Sequence, residues 1–217
     1  MQMEFKDVYI TKTATYFPNE PISNDEMEEF LGLINKSPSK SKRIVLRNNG
    51  IKNRFYALDK QGKSTHTNAE MTARAIRNML DNDPRQIKEI DLLVCGTSSP
   101  DQIMPSHAVM VHGELPESNS IEVVSPSGVC CAGMHALKYA YMSVKTGDAH
   151  HAVAAGSERF SSSLKSQIFE DEAKKLSELE ENPYIGFEKE FLRWMLSEVR
   201  PVFCCRTRKT KPVLVLK

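Results

Sequence analysis

Residues 128–158 read GVCCAGMHALKYAYMSVKTGDAHHAVAAGSE, and they place two adjacent cysteines immediately before a helical pattern. The spacing predicts a helix from Ala132 to Thr146, with Gly147 as the C-cap that ends it. The HAVAAGSE that follows predicts a strand, and SIEVVSPS, residues 120–127, predicts another strand before the cysteines. Strand, helix and strand in this order indicate a right-handed crossover between parallel strands of one sheet.

The segments on the N-terminal side continue this alternation. IDLLVCGTSS, residues 90–99, is an apolar run that ends in small polar residues, as in a buried parallel strand. Val8 to Pro18 predict a first strand, and PSHAVMVHGEL, residues 105–115, predicts a helix. A further helix begins at a capping box of Thr67 and Glu70. Its apolar face comprises Ala69, Ala73, Ile76 and Leu80. The predicted fold class is therefore α/β, with a mostly parallel sheet packed against helices.

Other segments have weaker patterns. Ser23 is an N-cap type of residue and predicts a short helix over the acidic residues that follow it. Residues 35–66 are polar and basic, so we expect irregular structure there, apart from a short strand at 53–58. Residues from about 161 to 184 predict a polar surface insertion or lid, and residues 185–197 have the spacing of an amphipathic helix.

The composition is that of an ordinary globular protein. The chain has 217 residues, 40% of them hydrophobic, and a formal net charge of +1, which gives no electrostatic reason to expect nucleic acid or an anionic membrane as a partner. No apolar stretch approaches the roughly 20 residues of a membrane span, and the N-terminus does not have the pattern of a signal peptide. Five cysteines without a regular framework favour a reducing compartment, so we expect a cytoplasmic location.

Cys131 lies where a predicted strand turns into a predicted helix. Functional groups of open α/β sheets gather at such junctions. Backbone N–H groups and the positive end of the helix dipole stabilise a thiolate there, which favours a nucleophile. A buried structural cysteine is the alternative, since free cysteine packs as a small hydrophobe. From position alone, both interpretations remain open.

An ordered set of motifs resembles one family of condensing enzymes. The set comprises GIKNRFYA (residues 50–57), IDLLVCGTSSPDQIMPSHA (90–108), Cys131-Ala132-Gly133 on its turn, and AVAAGSE (152–158). In this order they resemble the β-ketoacyl-acyl-carrier-protein synthase III family of the thiolase superfamily. The resemblance runs from about Val8 to Ser197. It implies a thiolase-like fold, of which residues 1–197 form the N-terminal βαβαβ half.

The resemblance also implies a chemistry. Cys131 would attack an acyl thioester and carry the acyl group, which then condenses with malonyl-acyl-carrier protein after decarboxylation. The backbone N–H of Cys131 would be an oxyanion donor, and Cys130 would be a packing residue. Met104 occupies the place where the family sends a side chain across a homodimer into the partner's acyl pocket; an ordinary core methionine is the alternative.

The chain departs from the family at the substrate entrance. Members that use coenzyme A carry a tryptophan before an R-T-G-I segment, whereas this chain reads RIVLRNNGIKNR, with Asn48 at the arginine position. The departure favours an acyl-carrier protein as the acyl donor. Together with the predicted insertion, it makes the chain more similar to relatives that build dialkylresorcinols or aryl polyenes. Substrate-binding roles are expected for Arg47 and Arg54, and the carrier protein would approach through the basic residues Lys42, Arg43, Arg47 and Arg54. No cofactor or metal is expected.

The family's catalytic histidine and asparagine have no counterparts here. The six histidines precede the motif that would supply one, and only His135 is near Cys131 in sequence. Residues 198–217 read EVRPVFCCRTRKTKPVLVLK, and restoring one base in codon 198 gives the family's continuation Ser-Asp-Gly-Ala-Ala-Gly-Val-Leu-Leu-Gln-Asp-Lys. We therefore expect a frameshifted tail on a truncated chain that is inactive alone; a native basic tail is the alternative. The rival functions are a non-catalytic α/β binding or scaffold module, and acyl transfer without condensation.

Overall fold

The computed structural model describes residues 5–39, 41–168, 191–207 and 214–216. They belong to two compact units. The sheet unit comes from Met1–Phe17, Thr67–Glu158 and Val199–Lys217, and the second unit comes from Pro18–His66 and Arg159–Glu198. The strands are β1 (Val8–Tyr16), β2 (Ile22–Ser23), β3 (Asn53–Arg54), β4 (Leu92–Gly96), β5 (Glu122–Val124), β6 (His151–Gly156), β7 (Arg200–Arg206) and β8 (Leu214–Leu216). The helices are α1 (Met27–Leu31), α2 (Lys42–Asn49), α3 (Asn68–Met79), α4 (Pro84–Lys88), α5 (His107–Gly113) and α6 (Ala132–Thr146).

The sheet has the strand order β5-β4-β6-β7-β1-β8 in the described part of the chain. Strand β4 pairs in parallel with β5 and β6, so Leu93 lies opposite Val123 on one side and Val153 on the other. Strand β7 is antiparallel to both β6 and β1, and β8 is antiparallel to β1. Strands β5, β4, β6 and β1 therefore run in one direction, which confirms the mostly parallel sheet predicted from the sequence.

Helices cover both faces of this sheet. Because successive side chains of a strand point to opposite faces, Leu93 packs with Ile76 of α3 and Val111 of α5, whereas its neighbour Leu92 packs with Ala136 and other small residues of α6. Both leucines are fully buried. The continuous apolar pattern of residues 90–96 thus reflects a central strand with helices on either side.

The predicted helices α3 and α6 are confirmed. The Thr67 side chain accepts a hydrogen bond from the Glu70 N–H at 3.0 Å, so it caps the start of α3. Helix α6 begins and ends at the predicted residues, and Gly147 follows it in the left-handed conformation, with φ 84°. That conformation favours glycine and terminates the helix.

The second unit has its own core and corrects three predictions. Its buried cluster contains Met27, Tyr56, Leu58 and Trp194. The prediction that residues 35–66 are irregular apart from a short strand was wrong for residues 42–49, where α2 forms with only Val45 buried. The short strand predicted at 53–58 is limited to β3. Helix α1 exists, but Ser23 does not cap it; the Ser23 hydroxyl donates to the Glu26 carboxylate at 2.5 Å.

The last part of the chain lies partly within the described residues. Strand β7 falls inside the predicted frameshifted tail, 198–217, and lies between β6 and β1. Of the predicted insertion, 161–184, the structure describes 161–168, and of the predicted helix at 185–197 it describes 191–197, of which 191–195 are helical. The rest of both predictions lies outside the described residues. Among the helices described, none has the length and apolarity needed to cross a bilayer.

Candidate functional site

Cys131 lies at the end of a single 3₁₀ turn, Val129–Cys131, that leads directly into α6. Its side chain is exposed and its thiol is free. The turn is closed by a hydrogen bond from the Cys131 N–H to the Gly128 carbonyl oxygen at 2.9 Å. Val129 within it has φ 50°, a left-handed conformation that is rare for a β-branched residue.

The hydrogen bond that closes the turn corrects one expectation from the sequence. The Cys131 N–H was expected to stabilise an oxyanion, but it is already donated to Gly128. The next amide, that of Ala132, donates to the Val129 carbonyl. Both N–H groups are therefore occupied within the turn, and neither is free for a tetrahedral intermediate in this conformation.

Three glycines bring the start of α6 against the ends of two strands. A β-carbon added at Gly96, the last residue of β4, would lie 2.1 Å from the Ala132 carbonyl oxygen. One added at Gly133 would lie 3.2 Å from the Cα of Gly156, the last residue of β6. These backbone-to-backbone approaches leave no room for larger residues, so they fix the first turn of α6, and Cys131 with it, at the carboxyl ends of β4 and β6.

His135 lies one helical turn after Cys131 and holds the preceding segment. Its Nδ1 is 3.0 Å from the Ser127 carbonyl oxygen. Because a carbonyl oxygen only accepts, Nδ1 carries the proton of this hydrogen bond. The ring packs closely on Gly128, where an added β-carbon would lie 2.6 Å from both Nδ1 and Cε1. We call Ser127–Cys131 the nucleophile turn; His135 fastens its first residue to α6.

A carboxylate organises the loop that follows β4. Glu158, two residues beyond β6, accepts hydrogen bonds from the Ser98 N–H at 2.7 Å, the Thr97 hydroxyl at 3.3 Å and the Ser99 hydroxyl at 2.5 Å. Since Thr97 to Ser99 directly follow β4, Glu158 ties the carboxyl ends of β4 and β6 together. We call Thr97–Ser99 with Glu158 the Glu158 network.

Further polar groups extend from this edge of the sheet. The Asp101 carboxylate accepts the backbone N–H groups of Asn68 and Ala69 at the start of α3, at 2.8 and 2.9 Å. The ring of His107 contacts the Ser157 hydroxyl at 2.8 Å. Burial is the main cause that lowers the pKa of His107 to about 4; Asp101 opposes this shift and the nearby Arg200 contributes to it. His107 is therefore neutral at physiological pH.

The predicted site residues belong to both units. Cys131 and Met104 are in the sheet unit, and Arg47 and Arg54 are in the second unit. Met104 is 83% exposed, so the alternative of a core methionine was wrong. Arg47 is exposed on α2.

The structure does not support Arg54 as a surface contact for a carrier protein. Arg54 is fully buried, and its guanidinium donates to the Trp194 carbonyl oxygen and to the Asn24 side chain. Of the other basic residues expected at the entrance, Lys42 forms an ion pair with Glu28 at 3.0 Å, and Arg43 is exposed one helical turn before Arg47.

The cysteines divide by exposure. Cys130 is exposed like Cys131, so the expectation that it is a packing residue was wrong. Cys95, Cys204 and Cys205 are buried, and burial raises the pKa of Cys95 and raises that of Cys205 to about 12. Within the described ranges, no group of three or more histidine, cysteine or carboxylate side chains is arranged to hold a metal ion.

Sequence reasoning missed Glu158, Asp101 and His107. Two of them had a signal: Glu158 lies two residues beyond a strand of small residues, and Asp101 follows the polar residues that come after β4. Polar side chains at the carboxyl ends of neighbouring parallel strands meet at one edge of a sheet. Applying that rule to both strands would have placed Glu158 beside residues 97–99.

The comparisons with known proteins agree on one family. A family profile described as "Thiolase, N-terminal domain" matches residues 54–181. The β-ketoacyl-[acyl-carrier-protein] synthase III of Neisseria gonorrhoeae (strain NCCP11945) is 31% identical over 152 residues, covering 70% of this chain and 44% of that protein. The synthase III of Neisseria meningitidis serogroup C (strain 053442) is 32% identical with the same coverage. The chain thus spans less than half the length of these relatives.

Solved structures show the same fold. The tetronic acid condensing enzyme AbyA1 has a TM-score of 0.72 at 22% identity, over 94% of this chain and 56% of that chain. The synthase III of Pseudomonas aeruginosa PAO1 has a TM-score of 0.68 at 17% identity, over 97% of this chain and 55% of that chain. The fold is therefore thiolase-like, as predicted. The chain belongs to the thiolase family through its N-terminal domain, and within it to the β-ketoacyl-acyl-carrier-protein synthase III family.

Proposed function

We propose that Cys131 is the acyl-accepting nucleophile of a synthase III-like acyltransferase. Its Sγ attacks the carbonyl of an acyl thioester; the new carbon–sulfur bond forms as the donor's carbon–sulfur bond breaks, and the donor sulfur leaves as a thiol that takes up the proton given up by the Cys131 thiol. The observation that supports this role is an exposed free thiol on a turn held at the ends of β4 and β6.

A second step is proposed from the family. The acyl group on Cys131 is transferred to the carbanion of malonyl-acyl-carrier protein after loss of carbon dioxide, in fatty acid or polyketide-type biosynthesis. That step needs the histidine and asparagine of the family, and none of this chain's histidines matches that motif. We therefore expect that this chain alone accepts an acyl group on Cys131 and does not catalyse the condensation. The frameshift interpretation of residues 198–217 remains a prediction, which sequencing of the locus tests.

The exposed residues favour a particular docking surface for the acyl donor. Arg43 and Arg47 are four residues apart on α2, so they lie on the same side of that helix, and both are exposed. We propose that these two arginines contact an acyl-carrier protein in the cytoplasm. Lys42 is partly occupied by Glu28, and Arg54 is buried, so neither is included.

Met104 is proposed as a residue of a homodimer. Its side chain is 83% exposed and the neighbouring Ile103 is 89% exposed. Two adjacent apolar side chains at this level of exposure are costly in water, and a partner subunit would bury them. This placement fits the family's use of the segment to line a partner's acyl pocket.

Intact-mass measurement after incubation with acyl-acyl-carrier protein tests the proposal. We expect a mass gain of one acyl group per chain for the wild type and for Cys130→Ala, and none for Cys131→Ala. Buried Cys95 is an internal control, since peptide mapping should find it unmodified in the folded protein. Acylation at any other residue, or equal acylation of Cys131→Ala, would contradict the role of Cys131.

A non-catalytic binding module is the second candidate. It is favoured by one observation: the Cys131 and Ala132 amides are occupied within the nucleophile turn, which leaves them unavailable to stabilise an oxyanion. The same experiment distinguishes the two candidate functions. A folded wild-type chain that binds acyl-carrier protein but gains no acyl group would support the binding module.

A further inference from the structure

The chain contains two Cys-Cys pairs, and the fold gives them opposite geometries. Cys204 and Cys205 are consecutive residues of β7, so their side chains point to opposite faces of the sheet. Cys204 is buried in the core beside α3 and α5, and Cys205 in the core beside α6. The Cys204 sulfur is also 3.1 Å from the His151 ring. These two sulfurs cannot bind the same atom.

Cys130 and Cys131 are arranged differently. They are consecutive residues of a 3₁₀ turn, in which neighbouring side chains diverge by about 120° rather than 180°. Both are exposed and free, and neither sulfur has a hydrogen-bond partner among the described residues. No hydrogen bond of either sulfur therefore has to break when the side chains rotate about χ1. The two sulfurs can then converge on one atom at the surface.

We propose that Cys130 and Cys131 form a vicinal dithiol site for a soft trivalent metalloid, namely arsenic, supplied as arsenous acid or as an organoarsenic oxide. Thiolates are the ligands that such soft centres prefer. The reaction is a condensation without oxidation or reduction, in which two arsenic–sulfur bonds form and two thiol protons leave. With an organoarsenic oxide, the protons leave with the oxide oxygen as one water; with arsenous acid, they leave with two of its hydroxyl groups as two waters. Cys131 is then blocked as a nucleophile.

The backbone favours this bridge over a disulfide. Adjacent Cα atoms are about 3.8 Å apart across a trans peptide, whereas disulfides usually span about 4.4–6.8 Å. A direct sulfur–sulfur bond would therefore be strained, and an inserted arsenic atom lengthens the bridge and relieves that strain. The site requires only two adjacent thiols, so it stands whether or not Cys131 accepts acyl groups.

Phenylarsine oxide, added in one equivalent to the reduced full chain, tests the proposal. We expect one phenylarsenic group per chain by native intact mass, retained in excess monothiol and released by a dithiol. Cys130→Ala and Cys131→Ala each leave a single thiol on the turn, so we expect retention to weaken by about 100-fold, the loss expected when a second, linked contact is removed. Cys204→Ala and Cys205→Ala are the matched controls and should retain the group as the wild type does.

The outcomes are decisive in both directions. Retention that is equal in the wild type and Cys130→Ala, or that is lost in Cys204→Ala, would overturn the dithiol site. Circular dichroism of each variant separates loss of the site from loss of the fold. Cys130→Ala separates this inference from the proposed function, because it should lose the arsenical while still accepting an acyl group on Cys131.

Discussion

Gly96 lies so close to Ala132 that a β-carbon at residue 96 would stand 2.1 Å from the Ala132 carbonyl oxygen. The contact joins the last residue of β4 to the first residue of α6. Since both partners are backbone atoms in regular elements, neither can move without displacing a strand or a helix. The position of the nucleophile turn therefore depends on the absence of a side chain at residue 96.

Gly96→Ala should consequently destabilise the protein and displace Cys131. Forcing atoms into a packed site typically costs about 1–3 kcal/mol, and a backbone clash this close falls at the upper end. Denaturant unfolding measures the loss of stability, and iodoacetamide alkylation of Cys131 measures the displacement. Gly113→Ala is the matched control, since an added β-carbon there meets nothing within 4 Å. Equal behaviour of the two variants would show that the approach at Gly96 is not rigid.

The hydrogen bond from His135 to Ser127 predicts a separate effect on the same turn. His135→Leu removes the donor, whereas His135→Gln keeps an N–H that can reach the Ser127 carbonyl. We expect His135→Leu to change the alkylation rate of Cys131 with a loss of about 1 kcal/mol of stability, and His135→Gln to restore both toward wild type. If the two variants alkylate at the same rate, the ring acts by packing on Gly128 and not by its hydrogen bond.

The sequence predicted the sheet unit well because its signals there are local and strong. The apolar run at residues 90–96 and the Gly147 C-cap each fix one element without reference to distant contacts. Helix α2 was missed because its surroundings are polar and basic and only one of its residues, Val45, is buried. Helix α4 was also missed, although Asp83 as N-cap and Pro84 at its first position are recognised start signals.

The candidate site was predictable only in part. Motif and position indicate Cys131 as the candidate nucleophile, which stays a prediction. No sequence pattern shows that its N–H is donated to Gly128, since that depends on the conformation of Val129. The burial of Arg54 was equally hidden, because arginine is mostly exposed in proteins and the contact that buries it, Trp194, is distant in sequence. The first error came from a local backbone conformation, and the second came from a long-range contact.

The hydrogen bonds of the Glu158 network predict that the Glu158 carboxylate, which lies outside the nucleophile turn, stabilises the folded protein. Glu158→Ala would leave the Ser98 N–H and two hydroxyls without their acceptor, and a buried donor left unpaired costs about 1–3 kcal/mol. Glu89→Ala is the control: this carboxylate is 59% exposed and pairs with Arg206 at 3.3 Å, an interaction worth about 0–1 kcal/mol. Chemical denaturation measures both variants. A smaller loss for Glu158→Ala than for Glu89→Ala would contradict the structural role of the network.

The left-handed conformation of Val129 predicts that a smaller residue is preferred there. Val129 is 67% exposed, so replacing it loses little buried apolar area, while a non-glycine residue in this region costs about 1–3 kcal/mol. Val129→Gly should therefore raise the free energy of unfolding, by about 1 kcal/mol after the greater freedom of glycine in the unfolded chain is included. Val109→Gly, at a 40% exposed position within α5, should instead destabilise. A loss of stability in Val129→Gly would mean that the valine is not strained.

Two buried histidines predict how stability depends on pH. Burial lowers the pKa of His107 to about 4 and that of His151 to about 4, from an ordinary value of 6.5. Above pH 6.5 these rings are neutral in the folded and unfolded states alike. As the pH falls below 6.5, the unfolded chain binds protons that the folded chain does not, so stability declines until the folded rings titrate near pH 4.

Between pH 6.5 and pH 5, where the carboxylates are still ionised, each of these histidines should remove up to about 1.4 kcal/mol of stability per pH unit. Urea unfolding at several pH values measures the slope. Glutamine does not titrate, so the change in the free energy of unfolding per pH unit should be smaller in His107→Gln than in the wild type, by the contribution of one histidine. The absolute free energy of unfolding of this variant should also be lower. A slope that is the same in His107→Gln and the wild type would show that His107 takes up its proton equally in both states.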